Sequence, residues 1–127
     1  MPVEIKEYAL SFTRLTCSQN YVISEVKEGC YLTRDLFDEV LVILEEYYGT
    51  AKPYIYISNR KYDFNVNPVD YLNCIGISNM IGVAIVTETA SKMQTANFEK
   101  NFMTKRTKIF GTLKEAIDWA NTFVEAQ

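Results

Sequence analysis

Apolar and polar residues alternate in Tyr8-Ala9-Leu10-Ser11-Phe12-Thr13, the two-residue period of a strand with one buried face. A second β-rich run, Tyr21-Val22-Ile23-Ser24-Glu25-Val26, follows the polar Ser18-Gln19-Asn20, which suits a hairpin turn. The period then lengthens. Leu36, Val40, Ile43, Leu44 and Tyr47 recur at helical spacing, after Thr33 as an N-cap and before Gly49, where the chain can turn left-handed. Pro53 opens Tyr54-Ile55-Tyr56-Ile57, apolar on both faces, as expected for the middle of a covered sheet.

Further along, Asn67-Pro68 with Asp70 in the first turn marks a helix carrying Val69, Leu72, Cys74 and Ile75. Val83-Ala84-Ile85-Val86 reads as another buried strand, and Ser91 with Gln94 as a capping box for a helix holding Phe98 and Phe102. Thr107-Lys108-Ile109-Phe110 is a short strand that runs into a second capping box, Thr112 and Glu115. The stripe behind it is Leu113, Ala116, Ile117, Ala120 and Val124, with Trp119 expected to lock the last helix on the sheet. The order is β-β-α-β-α-β-α-β-α, an α/β mixed sheet with a parallel part, packed helices and right-handed crossovers. Without a linker or repeat, residues 1–127 are expected to form a single domain.

Composition narrows the chemistry. A chain of 127 residues, 48% hydrophobic, buries about two thirds of its unfolded surface, enough for one core. No histidine is present, which excludes His-based triads, His-ligated metals and histidine general bases. Cys17, Cys30 and Cys74 stand far apart with no CxxC pair, as reduced thiols of a cytoplasmic protein would. A net charge of −3 argues against nucleic acid as partner. The N-terminus lacks the basic and apolar regions of an export signal, and the uncharged stretch Tyr71–Thr87 falls short of the about 20 apolar residues of a membrane span.

The element order, together with Gly29-Cys30-Tyr31-Leu32-Thr33-Arg34-Asp35 entering the first long helix and the ending Thr107-Lys108-Ile109-Phe110-Gly111-Thr112-Leu113-Lys114-Glu115-Ala116-Ile117-Asp118-Trp119, resembles the SpoIIAA-like fold. That fold covers STAS domains and SEC14-like relatives of bacteria, and the resemblance spans residues 9–124. It implies a regulatory or protein-interaction module. In the anti-sigma-factor antagonists of that group, an Asp-Ser-Ser/Thr-Gly motif follows the strand matching Tyr54-Ile57, and its hydroxyl is phosphorylated. Here the stretch reads Asp63-Phe64-Asn65-Val66-Asn67-Pro68-Val69-Asp70, with no hydroxyl and no glycine; the nearest serines are Ser58 and Ser78. The expected function is therefore non-catalytic interaction without the phosphorylation switch. The alternative is a carrier or sensor of a small apolar ligand.

The richest polar segment is Ser58-Asn59-Arg60-Lys61-Tyr62-Asp63, placed at the carboxyl end of a parallel strand and facing the Asn67 helix start. Arg60 or Lys61 with free helix N–H groups suits an anion or a partner carboxylate. The candidate binding residues are Asn59, Arg60, Lys61, Tyr62, Asn67, Asp70 and Tyr71. A solvated loop with an ordinary cap has the same sequence. Asp35, Asp38, Glu39, Glu45 and Glu46 form an acidic helix face suited to a basic partner or simply to water. Tyr47, Tyr48, Tyr54, Tyr56, Tyr62 and Tyr71 either pack the core or line an apolar cavity. Asp63 and Asp70 lack an accompanying nucleophile or Gly-rich phosphate loop, so no enzyme activity, cofactor or metal is expected. A protein is the expected partner, with a homodimer and an apolar small molecule as the other partners the sequence allows.

Overall fold

The computed structural model describes residues 5–61, 65–66, 79–100 and 105–127, and among these it has eight strands and three helices. The strands are β1 (Lys6–Ala9), β2 (Thr13–Cys17), β3 (Tyr21–Val26), β4 (Tyr31–Leu32), β5 (Tyr54–Asn59), β6 (Asn65–Val66), β7 (Met80–Val86) and β8 (Arg106–Phe110). The helices are α1 (Arg34–Tyr48), α2 (Ala90–Lys100) and α3 (Leu113–Glu125). Six strands form one sheet in the order β1-β2-β3-β5-β7-β8. The β1-β2-β3 part is antiparallel, and β3, β5, β7 and β8 run parallel. This is the expected mixed α/β sheet. A small parallel pair, β4 with β6, lies outside it and has no counterpart in the sequence pattern.

The opening differs from its pattern. The alternating run Tyr8 to Thr13 is not one strand but the end of β1, a tight turn and the start of β2, closed by a hydrogen bond from Leu10 N–H to the Thr13 carbonyl. Phe12 sits at that turn, yet it is buried, and its carbonyl accepts from Lys27 N–H. Its side chain plugs the core from a turn, so an apolar residue continued the alternation past the real end of the strand.

Strand β5 is central, and its first five residues are buried. Tyr54 and Tyr56 join Leu15, Cys17, Val22, Val83 and Ile85 on one face, under Phe37, Val40, Leu44 and Tyr48 of α1. Ile55 and Ile57 join Ala84 and Val86 on the other, under Ala116, Ala120 and Val124 of α3. Each such aliphatic side chain taken fully from water contributes roughly 1.5–3 kcal/mol. On α1 the buried residues are Phe37, Val40, Leu44 and Tyr48, while Leu36, Ile43 and Tyr47 are half-buried, so the core-facing stripe is turned by about one residue from the expected one.

The caps decide where helices start. Thr33 accepts from Leu36 N–H at α1, and Thr112 accepts from Glu115 N–H while donating to the Glu115 carboxylate at α3. At α2, Thr89 rather than Ser91 is the cap, accepting from Lys92 N–H, because the helix already begins at Ala90. Phe102 lies outside the described residues, as does the helix expected after Asn67. Gly49 ends α1 with φ 69°, a left-handed conformation that side chains disfavour. The half-turn behind it is held by Asn79, whose side-chain amide donates to the carbonyls of Gly49 and Lys52. Among the described residues, no helix is long and apolar enough to cross a membrane.

Candidate functional site

Strands β5, β7 and β8 end side by side at Asn59, Val86 and Phe110, and there the three chains part. Their last rungs are backbone bonds: Arg60 N–H donates to the Val86 carbonyl and Thr87 N–H to the Phe110 carbonyl, both at 3.0 Å. Beyond Val86 the chain turns through Thr87-Glu88-Thr89 into α2, and beyond Phe110 through Gly111-Thr112 into α3. Two helices therefore begin beside one another at the carboxyl end of the parallel strands. That is the place where open α/β sheets hold ligands.

Between these exits lies a crevice of about 300 Å³. Asn59, Arg60 and Lys61 line it from β5, and Val86, Thr87, Glu88 and Thr89 from β7. Lys92 enters from the first turn of α2, and Gly111, Thr112 and Leu113 close the far side. Its volume is at the lower end of small-molecule sites.

The walls differ in how they are held. Asn59 Nδ2 donates to Glu25 Oε2 at 3.2 Å, and Arg60 Nε donates to Ser58 Oγ at 3.3 Å, which draws the Arg60 stem back along β5. Lys61 is exposed and Lys92 half-buried. The hydroxyls of Thr89 and Thr112 are engaged as helix caps. Thr87 is 1% exposed, and its hydroxyl has no hydrogen-bond partner among the described residues. A buried hydroxyl in that state costs about 1–3 kcal/mol, so the fold retains it at some expense.

The described lining of the crevice carries more cations than carboxylates. Among the described residues that line it, three cations, Arg60, Lys61 and Lys92, face one carboxylate, Glu88. The starts of α2 and α3 add the partial positive charge of N–H groups with no partner inside their helix.

Of the residues singled out in the sequence, Asn59, Arg60 and Lys61 come together here. Tyr62, Asn67, Asp70 and Tyr71 lie outside the described residues, and so does Asp63. Thr87, Glu88, Lys92 and Thr112 were not singled out for binding. The signal for them is indirect: each sits just after a predicted strand or at a helix start, and only the sheet order shows that two such exits adjoin the third. Ser58, one of the two serines nearest the position matching the phosphorylated hydroxyl of the anti-sigma-factor antagonists, is 8% exposed and accepts from Arg60 Nε.

The other candidates fare differently. The acids of α1 are all exposed, with Val42 at 68% exposure among them. The described tyrosines pack on one another: Tyr48 stacks on Tyr54, and Tyr56 meets Phe37 edge-on, with centroids 5.8 Å apart. They fill the core on the α1 face and do not line the crevice.

The fold is SpoIIAA-like. The chain is similar to the crystal structure, at 2.25 Å resolution, of an uncharacterized protein of the DUF3478 family with a SpoIIAA-like fold from Shewanella loihica PV-4, with 16% identity, 92% of each chain covered and a TM-score of 0.57. No protein family model matches the chain, and no curated protein does.

Proposed function

We propose that this chain is a non-catalytic regulatory or interaction module of the SpoIIAA-like type, working without a phosphorylation switch, whose contact surface is the crevice at the ends of β5, β7 and β8. The observation that carries the reading is the convergence of Arg60, Lys61 and Lys92 on two adjacent helix starts. That arrangement recognises negative charge on a partner. Two features support the non-catalytic part of this reading. The sequence has no histidine, and Thr89 and Thr112 spend their hydroxyls on caps. The alternative, a carrier of an apolar ligand, loses the tyrosine cluster as its lining, because the described tyrosines pack against each other and against α1.

Capture from a lysate with wild type, with the double variant Lys61→Glu and Lys92→Glu, and with Glu45→Lys on the acidic face of α1 tests this reading. Loss of the captured protein in the double variant alone, with unchanged melting temperatures, is the expected result. Equal capture by all three would remove the crevice from the reading and leave the fold without an assigned surface.

A further inference from the structure

The main sheet ends in β1 on one side and β8 on the other, and among the described residues no strand pairs with the outer edge of either. The two edges differ in charge. β1 carries Lys6 next to Glu7, which is paired with Arg14, whereas β8 carries Arg106 and Lys108 and no acid. Along a strand, side chains alternate between faces and backbone groups between edges. The Phe110 carbonyl is turned inward, where it accepts from Thr87 N–H just beyond β7. By that alternation the N–H and C=O groups of Thr107 and Ile109 point outward, away from β7. The side chains of Arg106, Lys108 and Phe110 share the face that α3 covers. The Arg106 guanidinium lies 5.9 Å from the ring centre of Phe123, and Lys108 Nζ lies 5.5 Å from that of Phe110. Trp119 stands between those two rings. Neither cation forms an ion pair among the described residues. The rings thus hold two charged heads two residues apart on one face, beside the outward backbone groups.

We propose that the outer edge of β8 docks an extended acidic segment of a partner protein, which adds to the sheet as a further strand. Its backbone exchanges hydrogen bonds with Thr107 and Ile109, and its alternate carboxylates lie beside Arg106 and Lys108. The surface is separate from the crevice and goes beyond the function proposed above. Charge complementarity selects the occupant. Alternate residues of an added strand fall on one face, which matches the spacing of the two cations, and main-chain bonds supply affinity while the alternate side chains supply selectivity. A second copy fits less well, because pairing β8 with itself about Thr107 or Lys108 sets cation opposite cation. The edge of β1, with both signs of charge, offers no such selection. Cations on a free edge also guard it against self-association, and the experiment separates that role from docking.

The probes are a short soluble peptide alternating glutamate with valine, the same peptide with lysine in place of glutamate, and the glutamate peptide N-methylated at alternate amides. Each is titrated into the whole chain, into the double variant Arg106→Gln and Lys108→Gln, and into Lys6→Gln at the opposite edge. Binding is followed by Trp119 fluorescence and by hydrogen exchange of the Thr107 and Ile109 amides. The expected result is saturable binding of the unmethylated glutamate peptide alone, with slowed exchange at those two amides. The double variant should bind it about fivefold more weakly, through the loss of two exposed ion pairs, and Lys6→Gln should bind it as wild type does. Added salt should weaken binding to wild type, a check that does not depend on any variant folding. Equal binding of the N-methylated or the lysine peptide, exchange unchanged at both amides, binding indifferent to salt, or full affinity in the double variant overturns the proposal. Absence of binding to wild type overturns it as well, and self-association of the double variant would then assign the two cations to guarding the edge.

Discussion

Tyr48 at the end of α1 lies flat against Tyr54 at the start of β5, with ring centroids 4.1 Å apart and planes inclined by 9°. The same side chain reaches the β2-β3 turn, its hydroxyl 2.7 Å from the Ser18 carbonyl and 2.6 Å from that of Tyr21. One phenol thus ties the helix, the central strand and the hairpin together. Tyr48→Phe keeps the stack and the volume and deletes only the donor. We expect it to cost about 1–2 kcal/mol, because the Ser18 carbonyl loses its donor in a part-buried site. In a chain of this size that is a fall of roughly 3–6 °C in Tm. An unchanged Tm would show that the stack alone holds the helix end.

Alkaline conditions should weaken the fold through the same core. Burial pushes the Cys17 thiol from its ordinary 9.0 up to about 11, against a small opposing pull from Lys6, and burial likewise pushes the Tyr48 phenol up. In the unfolded chain both groups ionise at their ordinary values. Below about pH 9 both states are protonated and the contribution is complete; above it the unfolded state releases a proton that the folded state keeps, and stability falls as pH rises toward 11. Tm followed from pH 8 to 11 should decline in wild type and decline less steeply in Cys17→Ala. Parallel curves for the two proteins would show that the thiol does not take part.

Gly82 leaves no room for a side chain between β5, β8 and α3. A Cβ built there would stand 2.8 Å from Ile55 Cδ1, 3.1 Å from the Arg106 carbonyl oxygen and 3.4 Å from Trp119 Cη2. The tip of Ile55 can move, but the Arg106 oxygen belongs to the backbone of β8, which pairs with β7 at this very position. Gly82→Ala is expected to cost about 1–3 kcal/mol by overpacking. Trp119 is the chain's one tryptophan, so a shift in its fluorescence would report the displaced helix directly. Wild-type stability with an unshifted spectrum would mean that the strand accommodates the methyl group.

Trp119 was expected to help lock the last helix, from the centre or from the edge of its buried face. It is half-buried, between Phe110 and Phe123 with centroids 5.6 and 5.3 Å away, so its ring forms the edge of that core rather than its centre. A helical pattern reports the direction of a side chain but not how far the opposing sheet extends beneath it.

What the sequence by itself determined is local. The runs Tyr21–Val26, Tyr54–Ile57 and Val83–Val86, the threonine caps at Thr33 and Thr112 and the stop at Gly49 follow from side-chain period, capping and backbone sterics, which act over a few residues. The polar exit Asn59-Arg60-Lys61 was legible for the same reason. Tertiary structure decided the rest. Phe12 became a turn because its ring had a core to enter, and the α1 stripe turned toward Phe37 and Tyr48 because Tyr56 and Tyr54 are what it packs against. The crevice belongs wholly to this second kind. Lys61, the Thr87–Lys92 segment and Thr112 are far apart in the chain, and they meet because β5, β7 and β8 are neighbours in the parallel part of one sheet, where their carboxyl ends lie at the same edge.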